Sequence, residues 1–261
     1  MAASRIVFLM YHEIGLPGRA LSQSAYGYER YVPSLESFRR QMEWIKESGW
    51  HGLSVGAAIH YPDGPGVCIT FDDGCETDLT AAAPVLREFG CNATFYLTAG
   101  FLGRPGFLNA SQVRELDTQG FEIGCHSMTH PYIPDLSDTE LKHEVVDAKL
   151  HIEQIAGHGI EHFSCPGGHY DRRTLRIVRQ AGFATFANSR FHANSARTSL
   201  YDLGRVAMMR DFTIEEFSAI CQGRGLWRRS VQNKVRRGAQ RVLGNRGYDR
   251  LRAMLLGDSG R

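Results

Sequence analysis

No stretch of this 261-residue sequence approaches the ~20 consecutive apolar residues that a membrane-spanning helix requires. The apolar run nearest the N-terminus, from Ile6 to Tyr11, has about six residues, whereas the core of a secretory signal peptide has roughly 7–15. No small-residue cleavage site follows that run. We therefore expect a cytoplasmic protein.

The six cysteines form no Cys-x-x-Cys pair and show none of the spacings of a disulfide framework. Scattered cysteines of this kind are typical of a reducing compartment, where they serve as small buried apolar side chains. We interpret all six in this way. Cys75 and Cys125 flank the candidate metal ligands discussed below, so a thiolate ligand is the less favoured alternative.

Charge is distributed unevenly along the chain. Residues 222–261 contain 11 Lys or Arg and 2 Asp or Glu, whereas the rest contains 19 basic and 26 acidic residues. This boundary predicts a domain over residues 1–221 and a basic amphipathic helical tail over residues 222–261. We favour packing of the tail on the domain, with contact to an anionic membrane as the alternative. Nucleic-acid binding is unlikely because no recognisable module accompanies the charge.

Apolar, β-branched segments alternate with helical patterns along most of the chain. Ser34 is placed to begin one helix, and Ser137 with Glu140 forms a capping box at the start of another, which extends to about Ala156. This alternation predicts a parallel α/β sheet, either open or closed into a barrel. Active-site groups collect at the C-terminal ends of such strands. Four polar residues and one turn fall there: His12, Asp72, Asp73, His126 and the turn Pro166-Gly167-Gly168.

Two adjacent carboxylates, Asp72 and Asp73, end a predicted buried strand and precede Gly74. Two like charges this close repel each other unless a proton or a cation neutralises one of them. His126 and His130 lie four residues apart, so they share a face if their segment is helical or turn-like. One carboxylate and two imidazoles form a three-ligand site of the zinc type, which leaves the second carboxylate free as a base. Asp-Asp-Gly alone is more typical of a capped surface turn.

The segments Thr70-Phe71-Asp72-Asp73-Gly74 and His126-Ser127-Met128-Thr129-His130-Pro131, followed by Leu136-Ser137, resemble the NodB-like polysaccharide deacetylases, carbohydrate esterase family four. The resemblance extends from roughly Ile6 to Met209. It implies a distorted (β/α)7 barrel and a hydrolase that removes acetyl groups from N-acetylated sugars with a divalent metal. It also implies that Asp72 is the base and that Asp73, His126 and His130 bind the metal. Zinc is the favoured ion, although cobalt, nickel or iron would also suit these ligands.

The third motif of that family is Arg-x-Pro followed by an aromatic residue, and this chain has Ser164-Cys165-Pro166-Gly167 instead. In the family the arginine orients the base, and a backbone N–H group after the proline holds the oxyanion. Gly167 can supply the second role without a side chain. The first role is unassigned from the sequence. We interpret Arg205 as the partner of a carboxylate rather than as a contact to substrate.

The late Leu-x-His motif, which supplies the general acid in the family, is also absent from this chain. We favour His12 as its replacement because some short family members without the late histidine carry a similar early Tyr-His. His169 is the alternative acid, and His12 fits equally well as a structural histidine bonded to backbone. The tyrosines between Tyr26 and Tyr31 suit either a sugar-stacking loop or local packing, and we favour packing.

These features support the hypothesis of a metal-dependent N-deacetylase that acts on an N-acetylated sugar or polysaccharide intermediate. A different amide or ester hydrolase on the same barrel is an alternative, because a motif specifies bond chemistry better than substrate. A catalytically silent carbohydrate- or partner-binding protein is another, suggested by the missing arginine and late histidine.

Overall fold

The computed structural model of the chain describes residues 5–25, 27–61 and 64–226. The predicted basic tail therefore lies outside the described residues from residue 227 onward, and Tyr26 lies outside them as well. In the described ranges, no helix is both long enough and apolar enough to cross a bilayer.

The described residues form nine β-strands and eight α-helices. The strands are β1 Arg5–Tyr11, β2 His51–Leu53, β3 Gly66–Asp73, β4 Thr94–Leu97, β5 Glu122–Cys125, β6 His162–Ser164, β7 Thr185–Asn188, β8 Asn194–Ser195 and β9 Leu203–Ala207. The helices are α1 Leu35–Glu47, α2 Val55–Ile59, α3 Ala83–Glu88, α4 Ala110–Thr118, α5 Asp138–Lys142, α6 Ala148–Ala156, α7 Arg172–Gln180 and α8 Ile214–Cys221. Single π-helical turns, Asp78–Ala82 and His143–Asp147, lead into α3 and α6.

Seven parallel strands close into a barrel. β3, β4, β5, β6, β7 and β9 pair in that order, and β1 pairs with both β9 and β3 to complete the ring. β2 pairs with the start of β3, and β8 pairs antiparallel with the start of β1, so both lie outside the ring. The structure confirms the predicted (β/α)7 barrel and decides between the open and closed sheets that the strand pattern allowed.

The two-residue period of β3 separates the helix-covered core from the barrel interior. Val67, Ile69 and Phe71 belong to the large apolar cluster that the helices cover, whereas Cys68 belongs to a smaller cluster with residues of the other strands. Because alternate side chains share a face, Thr70 and Asp72 lie on the same side as Cys68 and face the barrel interior. The strand therefore directs Asp72 into the barrel at its C-terminal end.

The predicted helix starts and the predicted role of the cysteines are both confirmed. The Ser34 side chain accepts a hydrogen bond from the backbone N–H of Ser37, and Ser137 forms a reciprocal capping box with Glu140. All six cysteines are buried and free of disulfide bonds. They therefore act as small apolar side chains within this barrel.

Candidate metal centre and catalytic site

The end of β3 brings both carboxylates to one site through an unusual backbone conformation. Asp73 has a φ of 80°, in the left-handed region that few non-glycine residues adopt, and Gly74 also has a φ of 80°. Because the chain leaves the extended conformation at Asp73, its side chain does not continue the alternation of the strand. As a result, the His126 Nε2 atom lies 3.7 Å from Asp72 Oδ2 and 3.7 Å from Asp73 Oδ1.

A turn, rather than a helix, places the two histidines after β5. His130 has a φ of 60°, and its backbone N–H donates a hydrogen bond to Ser127 Oγ over 3.1 Å. Glu144, from the π-helical turn, accepts hydrogen bonds from two backbone N–H groups of this segment and from the Thr129 hydroxyl. The turn thereby holds the His126 and His130 rings 5.1 Å apart, as the turn-like alternative predicted.

Asp73, His126 and His130 fit a metal ion. One ligand atom from each lies within 4.8 Å of the others, and His130 Nε2 is 3.7 Å from Asp73 Oδ1. His126 Nδ1 is 2.9 Å from the Ser164 carbonyl oxygen, which can only accept, so Nδ1 carries the proton and Nε2 keeps its lone pair. Asp73 Oδ1 is buried and has no hydrogen-bond partner in the described part of the chain. An orphaned carboxylate oxygen facing two imidazole nitrogens is the donor set that a divalent cation satisfies.

Burial also keeps His126 in the form that binds metals. It lowers the pKa of His126 to about 4, although the nearby Asp72 and Asp73 charges favour protonation. The ring is therefore neutral near pH 7, with its Nε2 lone pair available.

Asp72 forms a buried, two-pronged ion pair with Arg205. The Arg205 Nη1 and Nη2 groups donate to Asp72 Oδ1 and Oδ2 over 2.7 and 2.8 Å. The guanidinium also donates to Thr70 Oγ1 over 3.1 Å and to Ser164 Oγ over 2.6 Å. Burial alone would raise the pKa of Asp72, but the charge and hydrogen bonds of Arg205, together with the His126 and His12 charges, outweigh it and hold that pKa well below its usual range. Asp72 is therefore an ionised carboxylate with a fixed orientation.

This pair confirms that Arg205 is the partner of a carboxylate. The sequence did not identify that carboxylate as the candidate base. Ser164 stands where the related motif has its arginine, and the guanidinium reaches the same carboxylate from β9 instead of from β6. One feature of the sequence could have indicated this pair: Arg205 is a single charged residue in the middle of the apolar strand Leu203–Ala207.

The two candidate acids lie at different places around the site. His12 follows β1; its Nδ1 is buried without a hydrogen-bond partner among the described residues, and its charge would lower the pKa of Asp72. Its ring centroid is 5.6 Å from that of Tyr31. His169 instead packs against Tyr132, with ring centroids 5.0 Å apart. His12 has a resolved electrostatic interaction with the candidate base.

The third-motif turn follows β6 at the same end of the barrel. Gly167 has a φ of 60°, and Gly168 has a φ of 68°. A Cβ atom on Gly168 would lie 2.7 Å from the backbone nitrogen of Ser189, so only glycine fits at that position. Because Pro166–Gly168 follows the strand that carries Ser164, the Gly167 backbone lies at the rim of the site.

Two further observations bear on the sequence interpretations. Tyr28 is buried, and its hydroxyl is 3.7 Å from Cys75 Sγ, which supports packing for this tyrosine. Gln23, which the sequence reasoning missed, donates a hydrogen bond from Nε2 to Asp73 Oδ2 over 2.7 Å. No local pattern marks Gln23, because its partner is 50 residues away in the chain.

Comparisons with known proteins support the barrel fold. Residues 60–186 match the family model described as polysaccharide deacetylase. The Bacillus subtilis protein YxkH is 26% identical over 83% of this chain and 76% of its own. A chitooligosaccharide deacetylase of Azorhizobium caulinodans is 32% identical over 44% of this chain. That alignment covers about half of the relative's own length, 54%.

The barrel also has solved counterparts. The structure of the Streptococcus pyogenes deacetylase PplD, in complex with acetate, aligns with a TM-score of 0.75 and 21% identity over 84% of this chain and 99% of its own. At this identity the similarity supports the fold. The matched range contains Asp72, Asp73, His126 and His130, whereas Arg205 lies beyond it. Residues 60–186 of the chain are thus similar to the polysaccharide deacetylase family.

Proposed function

We propose that this protein is a metal-dependent hydrolase that removes the acetyl group from an N-acetylated sugar or oligosaccharide. The observation that carries the proposal is the convergence of Asp73, His126 and His130 beside Asp72, a carboxylate that Arg205 keeps ionised. The chitooligosaccharide deacetylase among the relatives supports the same substrate class.

Each group has a distinct part in amide hydrolysis. A divalent ion held by Asp73, His126 and His130, with zinc favoured, would polarise the acetyl carbonyl and acidify the attacking water. Asp72 takes the proton of that water as its oxygen bonds to the carbonyl carbon. A strongly stabilised carboxylate is a weak base, so this step depends on the acidity of the water rather than on the basicity of Asp72.

Two further groups complete the reaction. The Gly167 backbone N–H, at the rim of the site, donates to the oxyanion that forms as the carbonyl carbon becomes tetrahedral. His12 protonates the sugar nitrogen as the C–N bond breaks, which releases acetate and the free amine. His12 suits this role because its Nδ1 makes no hydrogen bond within the described residues and its charge is felt at Asp72.

Acetate release from N-acetylated chitooligosaccharides, with and without a chelator, tests the proposal. We expect the chelator to abolish release and added divalent metal to restore it. Asp72→Asn should lower kcat by about 10²-fold or more. Asp211→Asn, a change at an exposed carboxylate outside the site, should leave kcat unchanged. Undiminished activity in Asp72→Asn would reject the base assignment.

The same substrate panel separates the alternatives. Turnover of other amides or esters, without turnover of acetylated sugars, would identify a different hydrolase on the same barrel. Metal binding without turnover of any substrate would indicate a silent binding protein. Retention of three ligands and an ionised base argues against that outcome, because sugar binding requires none of them.

The charge pattern extends the proposal to location. As the alternative to packing of the tail on the domain, we propose a cytoplasmic, lipid-linked sugar intermediate as substrate, which the basic residues of 222–261 would bring within reach at an anionic membrane surface. Residues 227–261 lie outside the described structure, so charge alone supports this part. Comparing a soluble oligosaccharide with the same sugar on a lipid carrier in anionic vesicles tests it. Equal rates on both would remove the membrane from the proposal.

A further inference from the structure

The loop that follows β1 reaches the candidate metal ligand Asp73. Gln23, in this loop, is half-buried and donates a hydrogen bond from Nε2 to Asp73 Oδ2 over 2.7 Å. Asp73 Oδ1 is buried and has no hydrogen-bond partner in the ranges that the structure describes. The two oxygens of one carboxylate therefore have different surroundings: one is bound by an amide, and the other faces His126 Nε2 and His130 Nε2 at 3.7 Å each.

Gln23 is held in place by a network immediately before it. Glu13 is fully buried and accepts hydrogen bonds from Arg19 Nη1 over 2.6 Å, from the Ser22 backbone N–H over 2.9 Å and from the Ser22 hydroxyl over 2.7 Å. The second Arg19 nitrogen, Nη2, reaches Glu76 over 3.0 Å. Because Glu76 follows the Asp72–Asp73 segment, Arg19 ties the loop to the same chain segment that carries the ligand. The position of Gln23 is therefore built into the fold.

We propose that Gln23 is a positioning residue of the metal centre. Its carboxamide occupies Asp73 Oδ2 and so turns Oδ1 toward the two imidazoles, which makes Asp73 a one-oxygen ligand. The inference rests on the proposed function, since it assigns a role at the same metal site. It adds a residue that lies outside the matched family range and outside the three-ligand set.

The physical reason is that a ligating carboxylate needs its orientation fixed by a second partner. Hydrogen bonds to the outer atoms of metal ligands fix ligand geometry, and their loss typically costs 10–100-fold in metal affinity, as an order of magnitude. Without Gln23, the Asp73 carboxylate can rotate, and both of its oxygens compete for the ion. The coupling is reciprocal, so metal binding also holds the loop in place.

Metal titrations of the full-length chain test this role without relying on activity. Zn²⁺ affinity is measured by competition with a chelator, and the Co²⁺-loaded protein gives an absorption spectrum that reports ligand geometry. Gln23→Met keeps the length of the side chain and removes the donor. Gln23→Glu places a second carboxylate against Asp73. Gln154→Met, at an exposed position on α6, is the matched control.

We expect the Zn²⁺ dissociation constant of Gln23→Met to rise by about 10-fold or more and its Co²⁺ spectrum to change. Gln154→Met should match the wild type in both measurements. The thermal unfolding midpoint of each variant, measured without metal, shows whether the variant folds. If Gln23→Met does not fold, the same metal titration is made on Gln23→Glu. Wild-type affinity and an unchanged Co²⁺ spectrum in the folded Gln23 variants would overturn the inference.

The outcomes also separate this inference from the proposed function. A wild-type protein that binds metal but releases no acetate contradicts the deacetylase proposal, and weaker metal binding by Gln23→Met would still support the positioning role. A wild-type protein that binds neither Zn²⁺ nor Co²⁺ overturns both.

Discussion

Replacing Arg205 by methionine tests the buried pair on which the candidate base depends. Methionine has a similar length and no charge, so the substitution removes the two-pronged contact to Asp72 and keeps most of the packing. The Arg205 side chain is fully buried, and that of Asp72 is 3% exposed. The carboxylate is therefore left without a counter-ion in a buried position.

The expected loss follows from that burial. Removing one partner of a buried ion pair typically lowers the free energy of unfolding by about 3–5 kcal/mol. With a urea m-value of about 3 kcal/mol/M, this loss lowers the unfolding midpoint by roughly 1–2 M. Tryptophan fluorescence during urea unfolding at pH 7 measures the shift, because Trp44 and Trp50 pack against the apolar core.

The difference between wild type and variant should depend on pH. In the wild type, the pKa of Asp72 lies below its unfolded value of about 3.9, so the pair stabilises the fold above that pH and less as the pH falls further. In Arg205→Met, burial is the dominant influence and raises the pKa of Asp72. Protonation then relieves the buried charge, so the stability gap is largest near pH 7 and narrows toward pH 4. The acidic limb of the activity profile should move to higher pH for the same reason.

A matched control is available at the surface. Arg190 also contacts both oxygens of an aspartate, Asp202, over 3.0 and 3.1 Å, but these side chains are 45% and 40% exposed. Arg190→Met should therefore lower stability by no more than about 1 kcal/mol. If Arg205→Met is no less stable than Arg190→Met at pH 7, the reasoning about the buried pair is wrong.

Two other substitutions test the groups around the pocket. His12→Gln should lower acetate release by about 10²-fold, with metal content unchanged because His12 is outside the ligand set. Loss of metal would instead show a structural role. Tyr132→Ala should raise KM for chitooligosaccharides by roughly 2- to 10-fold with kcat unchanged. The Tyr132 ring is 37% exposed and lies beside His169, so it offers a face to a sugar ring. A sugar contact comparable to an aromatic pair contributes about 0.5–1.5 kcal/mol to binding. An unchanged KM would exclude Tyr132 from the binding surface.

Features encoded by neighbouring residues were predictable from the sequence. The caps at Ser34 and Ser137 depend on residues three positions away, and the strand ending at Asp72 and Asp73 is marked by its own apolar run. The candidate metal cluster was predictable because Asp73 ends one strand of the parallel sheet and the two histidines follow another. Parallel strands place such residues at the same end.

Features that join distant residues were not predictable in the same way. Apolar periodicity shows which face of a strand is buried, but not that β1 pairs with both β3 and β9 to close the ring. The bond from Gln23 to Asp73 spans 50 residues, and that from Arg205 to Asp72 spans 133. The charge of Arg205 suggested a carboxylate partner, whereas nothing in the sequence marked Gln23, and only the folded structure determined the partner of each.

The position of Arg205 shows why the altered third motif does not imply an inactive site. Arg205 gives the candidate base Asp72 a guanidinium partner, and the interior of a closed barrel is accessible to inward-facing side chains from every strand. β6 supplies Ser164, whose small side chain leaves room, and β9 supplies the arginine that bonds to both Ser164 and Asp72. The charge therefore reaches the carboxylate from a different strand. The missing arginine at position 164 is thus a relocation of the cation, and it gives no reason to regard the site as catalytically silent.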